Sequence, residues 1–143
     1  MDPAKRFEAR PVSPGLASGP ALVIKERLSL KGTVDPASGV IRRPGTPLDG
    51  CSIANKVLIF ISGKGSSSWS GYFKMACRHK NAPVAIVNLE IDPLVASACV
   101  FNNIPLVQAQ DPAILEEIEN GSFVTVDANR GAILLHKGGE SNR

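Results

Sequence analysis

The chain has 143 residues, of which 43% are hydrophobic, 20% charged and 5% aromatic, with a formal net charge of +3. That is the composition of one globular domain rather than a disordered or fibrous chain. Its basic residues are scattered and its aromatics few, which argues against a nucleic-acid footprint of basic stripe and stacking rings.

No apolar run approaches the roughly 20 residues of a membrane helix. The polar start Met1-Asp2-Pro3-Ala4-Lys5-Arg6 leads into no apolar h-region, so the expectation is no secretory signal and a cytoplasmic compartment. Cys51, Cys77 and Cys99 form no Cys-x-x-Cys or Cys/His ligand spacing and read as small buried hydrophobes in a reducing environment, with no metal bound by this chain alone. Asn120-Gly121-Ser122 is formally a glycosylation sequon, without meaning where no secretion route exists.

In chain order, the first forty-odd residues predict β structure broken by turns. Ala21-Leu22-Val23-Ile24 is a strand-like run, Leu28-Ser29-Leu30 alternates, and Val34 to Gly39 is a turn built on Pro36 and Gly39. Arg42 to Gly50 carries Pro44, Gly45, Pro47 and Gly50 and reads as loop. Lys56 to Ile61 is a continuous apolar run, as in a strand buried on both faces. After a Ser/Gly segment, Tyr72, Phe73, Met75, Ala76 and Cys77 fall near helical spacing until Asn81-Ala82-Pro83.

Val84 to Val87 is the next buried strand. Asp92-Pro93 opens a helix over about Leu94 to Phe101, with Asp as N-cap and Pro at the first helical position; Asn102-Asn103 ends it. Ile104 to Val107 is a short strand, Asp111-Pro112 repeats the cap before a helix from Ala113 to Glu119, and Asn120-Gly121 closes it. Ser122–Val126 and Ala132–Leu135 predict a hairpin about Asp127–Gly131, and the polar tail from Lys137 reads as frayed. The expected fold is α/β: a three-strand parallel core with helices, packed beside a β-rich part, in one domain over residues 1–143 with its core at about 7–136 and a tail at 137–143.

The segment Gly63-Lys64-Gly65-Ser66-Ser67-Ser68 joins a buried strand to a helix. Glycines there allow close approach, and serines fall where free N–H groups and the helix dipole favour negative charge. Such a hydroxyl can cap the helix, bind an anion, or act as base or nucleophile when its ionised form is stabilised. The segment is neither a Walker A loop nor a Gly-x-Ser-x-Gly elbow. His79 and His136, the only histidines, read as solvated surface residues, which leaves a stand-alone serine hydrolase without partners. Asp35 is either an Asx-turn residue or an interface or substrate residue. Arg42 and Arg43 read as a solvated turn or rim contacts, with anion recognition as the other reading. Glu116, Glu117 and Glu119 read as a solvated helix face.

Val34-Asp35-Pro36-Ala37-Ser38-Gly39-Val40-Ile41, Pro47-Leu48-x-Gly50, Lys56-Val57-Leu58, Gly63 to Ser68 and Ala82-Pro83-x-Ala85-Ile86-Val87, in this order, resemble the swivelling-domain subunit of aconitase X. The resemblance covers about Gly15 to Leu135. It implies a β/β/α swivelling domain and a hydro-lyase subunit, inactive until joined to a larger subunit, in a heterodimer or higher assembly, that holds an iron or iron–sulfur centre. By the same resemblance Ser66 is the catalytic proton acceptor, with Gly63, Lys64, Gly65, Ser67, Ser68 and Asp35 as substrate-binding or loop residues. Aconitase has an arginine where this chain has Ser68, which argues against tricarboxylates. In its Ser66-Ser67-Ser68 run the chain resembles the family's hydroxyproline-type sequences, which implies cis-3-hydroxy-L-proline as the substrate, with mevalonate 5-phosphate as the alternative; a non-catalytic anion-binding or regulatory module is the reading from a different class. Trp69 and Cys99 to Asn103 depart from the family's usual pattern.

Overall fold

The computed structural model describes residues 3–28, 34–63 and 68–136. Its elements run β1 (Pro3–Ser13), β2 (Leu16–Leu28), β3 (Val57–Gly63), α1 (Ser68–Arg78), β4 (Ala85–Asn88), α2 (Pro93–Phe101), β5 (Leu106–Ala109), α3 (Ile114–Glu117), β6 (Phe123–Asp127) and β7 (Ala132–His136). The strands close into a barrel in the order β1-β5-β4-β3-β2-β6-β7. Strands β2 to β5 are parallel neighbours, while β1 and the β6–β7 hairpin close the sheet antiparallel.

The apolar runs of the parallel strands are continuous because both faces are covered. Ala21, Val23, Val57, Ile59, Ala85, Val87 and Val107 belong to one core cluster with Val124, Val126 and Ile133, which fills the barrel. Their neighbours Leu22, Ile24, Leu58, Phe60, Ile86 and Leu106 belong to a second cluster with Phe73 of α1 and Val95, Ala98 and Cys99 of α2. The result is the β/β/α layering expected from the sequence.

Several elements differ from expectation. The parallel core has four strands, because β2 joins it, and the β-rich part is continuous with that core in one closed sheet. The strand expected at Ile104 is Leu106–Ala109. The helix expected from Ala113 to Glu119 shrinks to Ile114–Glu117. Asp111 accepts from the Ala113 N–H at 2.9 Å, which makes a turn, and Ile114, Leu115 and Ile118 are drawn into the barrel cluster. The α2 cap is as expected, with Asp92 Oδ1 accepting from Leu94 N at 2.8 Å. Ser29, Leu30 and the tail 137–143 lie outside the described residues.

His136 is neither frayed nor solvated. The pairing of β7 with β1 carries it into the closed sheet, where Nε2 lies 2.7 Å from Thr125 Oγ1 and the ring tilts against Phe123. Glu116 and Glu117 are exposed but ion-paired to Lys25 and Lys5 on the neighbouring strands. Of the cysteines, Cys99 is fully buried and the other two half-buried; all three are free thiols.

Candidate functional site

The serine segment follows strand β3 in sequence, and β3 ends at the C-terminal edge of the parallel strands. Strand β3 ends at Gly63 and α1 begins at Ser68. Lys64, Gly65, Ser66 and Ser67 lie outside the described residues, so the site is defined by what flanks them.

Gly63 is set by space. A Cβ built on it would stand 2.5 Å from Val95 Cγ2 and 2.9 Å from Asp92 Oδ2. Only a residue without a side chain lets the end of β3 pass this close to the start of α2. On the other side, β2 runs parallel to β3 with Ile24 beside Phe60, then Arg27 beside Ser62 and Leu28 beside Gly63. Three steps along β2 thus match two along β3, a bulge that brings Arg27 next to the root of the serine segment. Arg27 Nη2 reaches Glu90 Oε1 at 2.5 Å, bridging the ends of β2 and β4. Leu89 and Glu90 both donate their backbone N–H to Ile61 O. Sequence reasoning missed Arg27 and Glu90, since nothing local to either residue signals a bulge or a bridge across β3.

Asp35 is placed elsewhere. Its carboxylate accepts from Ser38 Oγ at 2.8 Å, from Ala37 N at 3.3 Å and from Arg42 Nη2 at 3.4 Å. These donors, Ser38 first, hold its carboxyl below the usual carboxylate range. The turn docks on Asn81, whose amide donates to Ala37 O, beyond the C-terminal end of α1. Ser68 begins that 11-residue helix, so about 16 Å of axis separates the two ends. The Asx-turn reading describes what Asp35 does here, and the structure does not bring it together with Gly63. Arg43 pairs with Glu26 at 2.7 Å.

Among the described residues no group of three His, Cys, Asp or Glu side chains could hold a metal ion. Nor is any described helix long and apolar enough to cross a membrane. At the far end of α2, Phe101 is 81% exposed and, with Lys74, Ala98 and Asn102, lines a groove between α1 and α2.

A closed parallel-cored barrel with a helix layer over one side defines a β/β/α swivelling domain. The aconitase X swivel domain profile matches residues 6–135. The chain is 43% identical over 127 residues to the phosphomevalonate dehydratase small subunit of Methanothrix thermoacetophila, covering 89% of this chain and 92% of that one. To the same-named subunit of Methanosarcina mazei it is 37% identical over 135 residues, 94% of each. The crystal structure of Thermococcus kodakaraensis aconitase X in its holo form superposes with a TM-score of 0.85 at 30% identity, over 94% of this chain and 100% of that one. The chain belongs to the aconitase X swivel domain family. It is the small subunit of an aconitase X-type dehydratase, a hydro-lyase.

Proposed function

We propose that this subunit serves the dehydration of mevalonate 5-phosphate, with a large partner subunit that carries an iron or iron–sulfur centre, and that Ser66 is its proton acceptor. The observation carrying the substrate is the shared name of its relatives from Methanothrix thermoacetophila and Methanosarcina mazei, phosphomevalonate dehydratase small subunit, at near-complete coverage. Those relatives favour this substrate over cis-3-hydroxy-L-proline, the reading drawn from the Ser66-Ser67-Ser68 run. The metal is assigned to the partner by membership of the aconitase X family, and no step here runs through it.

In the proposed reaction Ser66 Oγ takes a proton from the carbon α to the substrate carboxylate, and the β-hydroxyl leaves, giving the unsaturated acid and water. The proton is weakly acidic, so Ser66 must enter the step as an alkoxide, which becomes the neutral hydroxyl on taking the proton. The N-terminus of α1 supplies free N–H groups and the positive end of its dipole for that charge, and Lys64 adds a cation. Closure over the partner supplies the dry surroundings in which such interactions are strong. To the same site we assign Lys64, Gly65, Ser67 and Ser68 as substrate-binding or loop residues, following Gly63, which packs closely against the start of α2.

The test is an assay of this chain co-expressed with its large partner under anaerobic, iron-replete conditions, with both substrates and with Ser66→Ala in parallel. Turnover of mevalonate 5-phosphate, lost in a Ser66→Ala complex that still assembles, is the expected result. A metal-loaded complex that dehydrates only cis-3-hydroxy-L-proline sinks the substrate assignment. A Ser66→Ala complex retaining most of its activity sinks the base.

A further inference from the structure

Helix α2 is uncharged along its whole length, from Pro93 to Phe101, and the next charged residue in the chain is Asp111. A surface helix ordinarily turns a polar face to water, and one that is apolar all round is covered on every side. In this chain only one side of α2 is covered. Val95, Ala98 and Cys99 pack into the helix-side core, while Val100 is 51% and Phe101 81% exposed. Met75 of α1 is 48% exposed, so three of the four exposed large hydrophobics among the described residues lie on the α1–α2 layer. The fourth, Leu16, starts β2 beside β6, outside that layer.

The charges beside this apolar surface all have one sign. Lys74, which lines the groove with Phe101, and Arg78, one turn further along α1, are both exposed. Lys80 follows just beyond the helix end. None of the three has an ion-pair partner among the described residues. On the barrel and its loops, by contrast, Lys5, Arg6, Lys25, Arg27, Arg42 and Arg43 are each paired to a carboxylate. No acidic residue occurs between Ser68 and Leu89. An apolar centre with an uncompensated basic rim is complementary to a protein surface with an apolar centre and an acidic rim. A second copy of this chain does not meet that description, because a two-fold contact over the groove brings Lys74 and Arg78 of both copies together.

We infer that the α1–α2 face, centred on Phe101, is the surface that docks on the large subunit, against an apolar patch flanked by carboxylates. This rests on the two-subunit assembly of the proposed function, since it takes the large subunit as the occupant. The experiment uses the co-expressed dehydratase and measures the subunit dissociation constant by sedimentation velocity on dilution. Wild type is compared with Phe101→Ser, Arg78→Glu and Leu16→Ser. Phe101→Ser is expected to weaken the complex about thirtyfold, the effect of truncating an aromatic anchor. Arg78→Glu weakens it about tenfold at low salt and less at high salt, as loss of a rim charge does. Leu16→Ser stays within about twofold of wild type. All three side chains are exposed, so the urea midpoints of the free variants should match that of wild type.

A Phe101→Ser complex as tight as wild type would overturn the inference. So would a larger loss in Leu16→Ser than in Phe101→Ser, which places the large subunit against the β2–β6 side of the barrel. Dimerisation of the free wild-type subunit that Phe101→Ser abolishes, with affinity for the large subunit unchanged, assigns the face to a second copy and also overturns it. Binding to phosphatidylglycerol vesicles that Phe101→Ser abolishes, again with that affinity unchanged, assigns it to a lipid surface with the same consequence. A wild-type chain that forms no complex with the large subunit refutes the two-subunit reading itself, an outcome distinct from all of these because no variant enters it.

Discussion

Replacing Gly63 by alanine tests whether the serine segment is anchored where β3 passes α2. No positive φ demands glycine at this position, so the whole effect must come from volume. The added methyl would meet Val95 Cγ2 at 2.5 Å and the Asp92 carboxylate at 2.9 Å. Val95 is fully buried, and a β-branched side chain in a helix has essentially one rotamer, so it cannot swing away. The strand end and α2 must therefore separate. Overpacking of this kind costs about 1–3 kcal/mol. With a urea m-value of about 2 kcal/mol/M, a 2 kcal/mol loss lowers the unfolding midpoint by about 1 M.

Gly71→Ala is the matched control. Gly71 lies inside α1, where a Cβ would meet nothing within 4 Å. Alanine there should stabilise by up to about 1 kcal/mol through helix propensity. In the assembled enzyme Gly63→Ala should also lower kcat, because the displaced strand end carries the loop. Urea titration of both variants and steady-state kinetics of the complexes decide the matter. A Gly63→Ala midpoint unchanged or raised, in step with Gly71→Ala, would falsify the close-approach argument.

Asp35 titrates below the ordinary carboxylate value of about 4, so the stability it contributes is present above that pH and lost as pH falls through its folded value. The difference in urea midpoint between wild type and Asp35→Asn should therefore shrink steadily from pH 5 downward; a difference that grows would contradict the assigned hydrogen bonds. Burial, with neighbouring Cys77 second, pushes the Cys99 thiol up to about 12. In the native chain Cys99 should resist iodoacetamide at pH 8.5 and label only on unfolding, as mass spectrometry of the labelled peptides can read. Because that folded value exceeds the unfolded one, the stability tied to the neutral thiol is complete below about pH 9 and declines as pH rises further, a decline that Cys99→Ala removes. Asp92→Ala removes the cap on Leu94 N and should cost about 1 kcal/mol in a urea titration.

Elements whose cause is local were legible in the sequence. Lys56 to Ile61 and Val84 to Val87 announce strands covered on both faces, and Asp92-Pro93 announces a helix start, because burial and capping write themselves into adjacent residues. Closure of the barrel was not legible. In β1 the segment from Lys5 to Arg10 shows one fully buried residue, Phe7, among charges that pair with β7 and β5 across most of the chain's length. The length of α3 failed for a related reason. Asp111-Pro112 carries a true cap signal, but Ile114, Leu115 and Ile118 gain more by entering the barrel cluster than by extending a helix. Around the candidate site, the Ser/Gly segment could be singled out from its own residues, whereas Arg27 and Glu90 come together only through a bulge in β2 and a turn after β4.

The same distinction explains why the serine run is a poor guide to substrate. Hydroxyls at a helix N-terminus serve any oxyanion, so a serine run before a helix does not by itself tell a carboxylate from a phosphate. The two candidate substrates differ instead in charge. Cis-3-hydroxy-L-proline is a zwitterion with one carboxylate, while mevalonate 5-phosphate brings a carboxylate and a phosphate and needs more positive potential around it. Selection between the substrates therefore rests on how much positive charge surrounds the proposed site rather than on its hydroxyls.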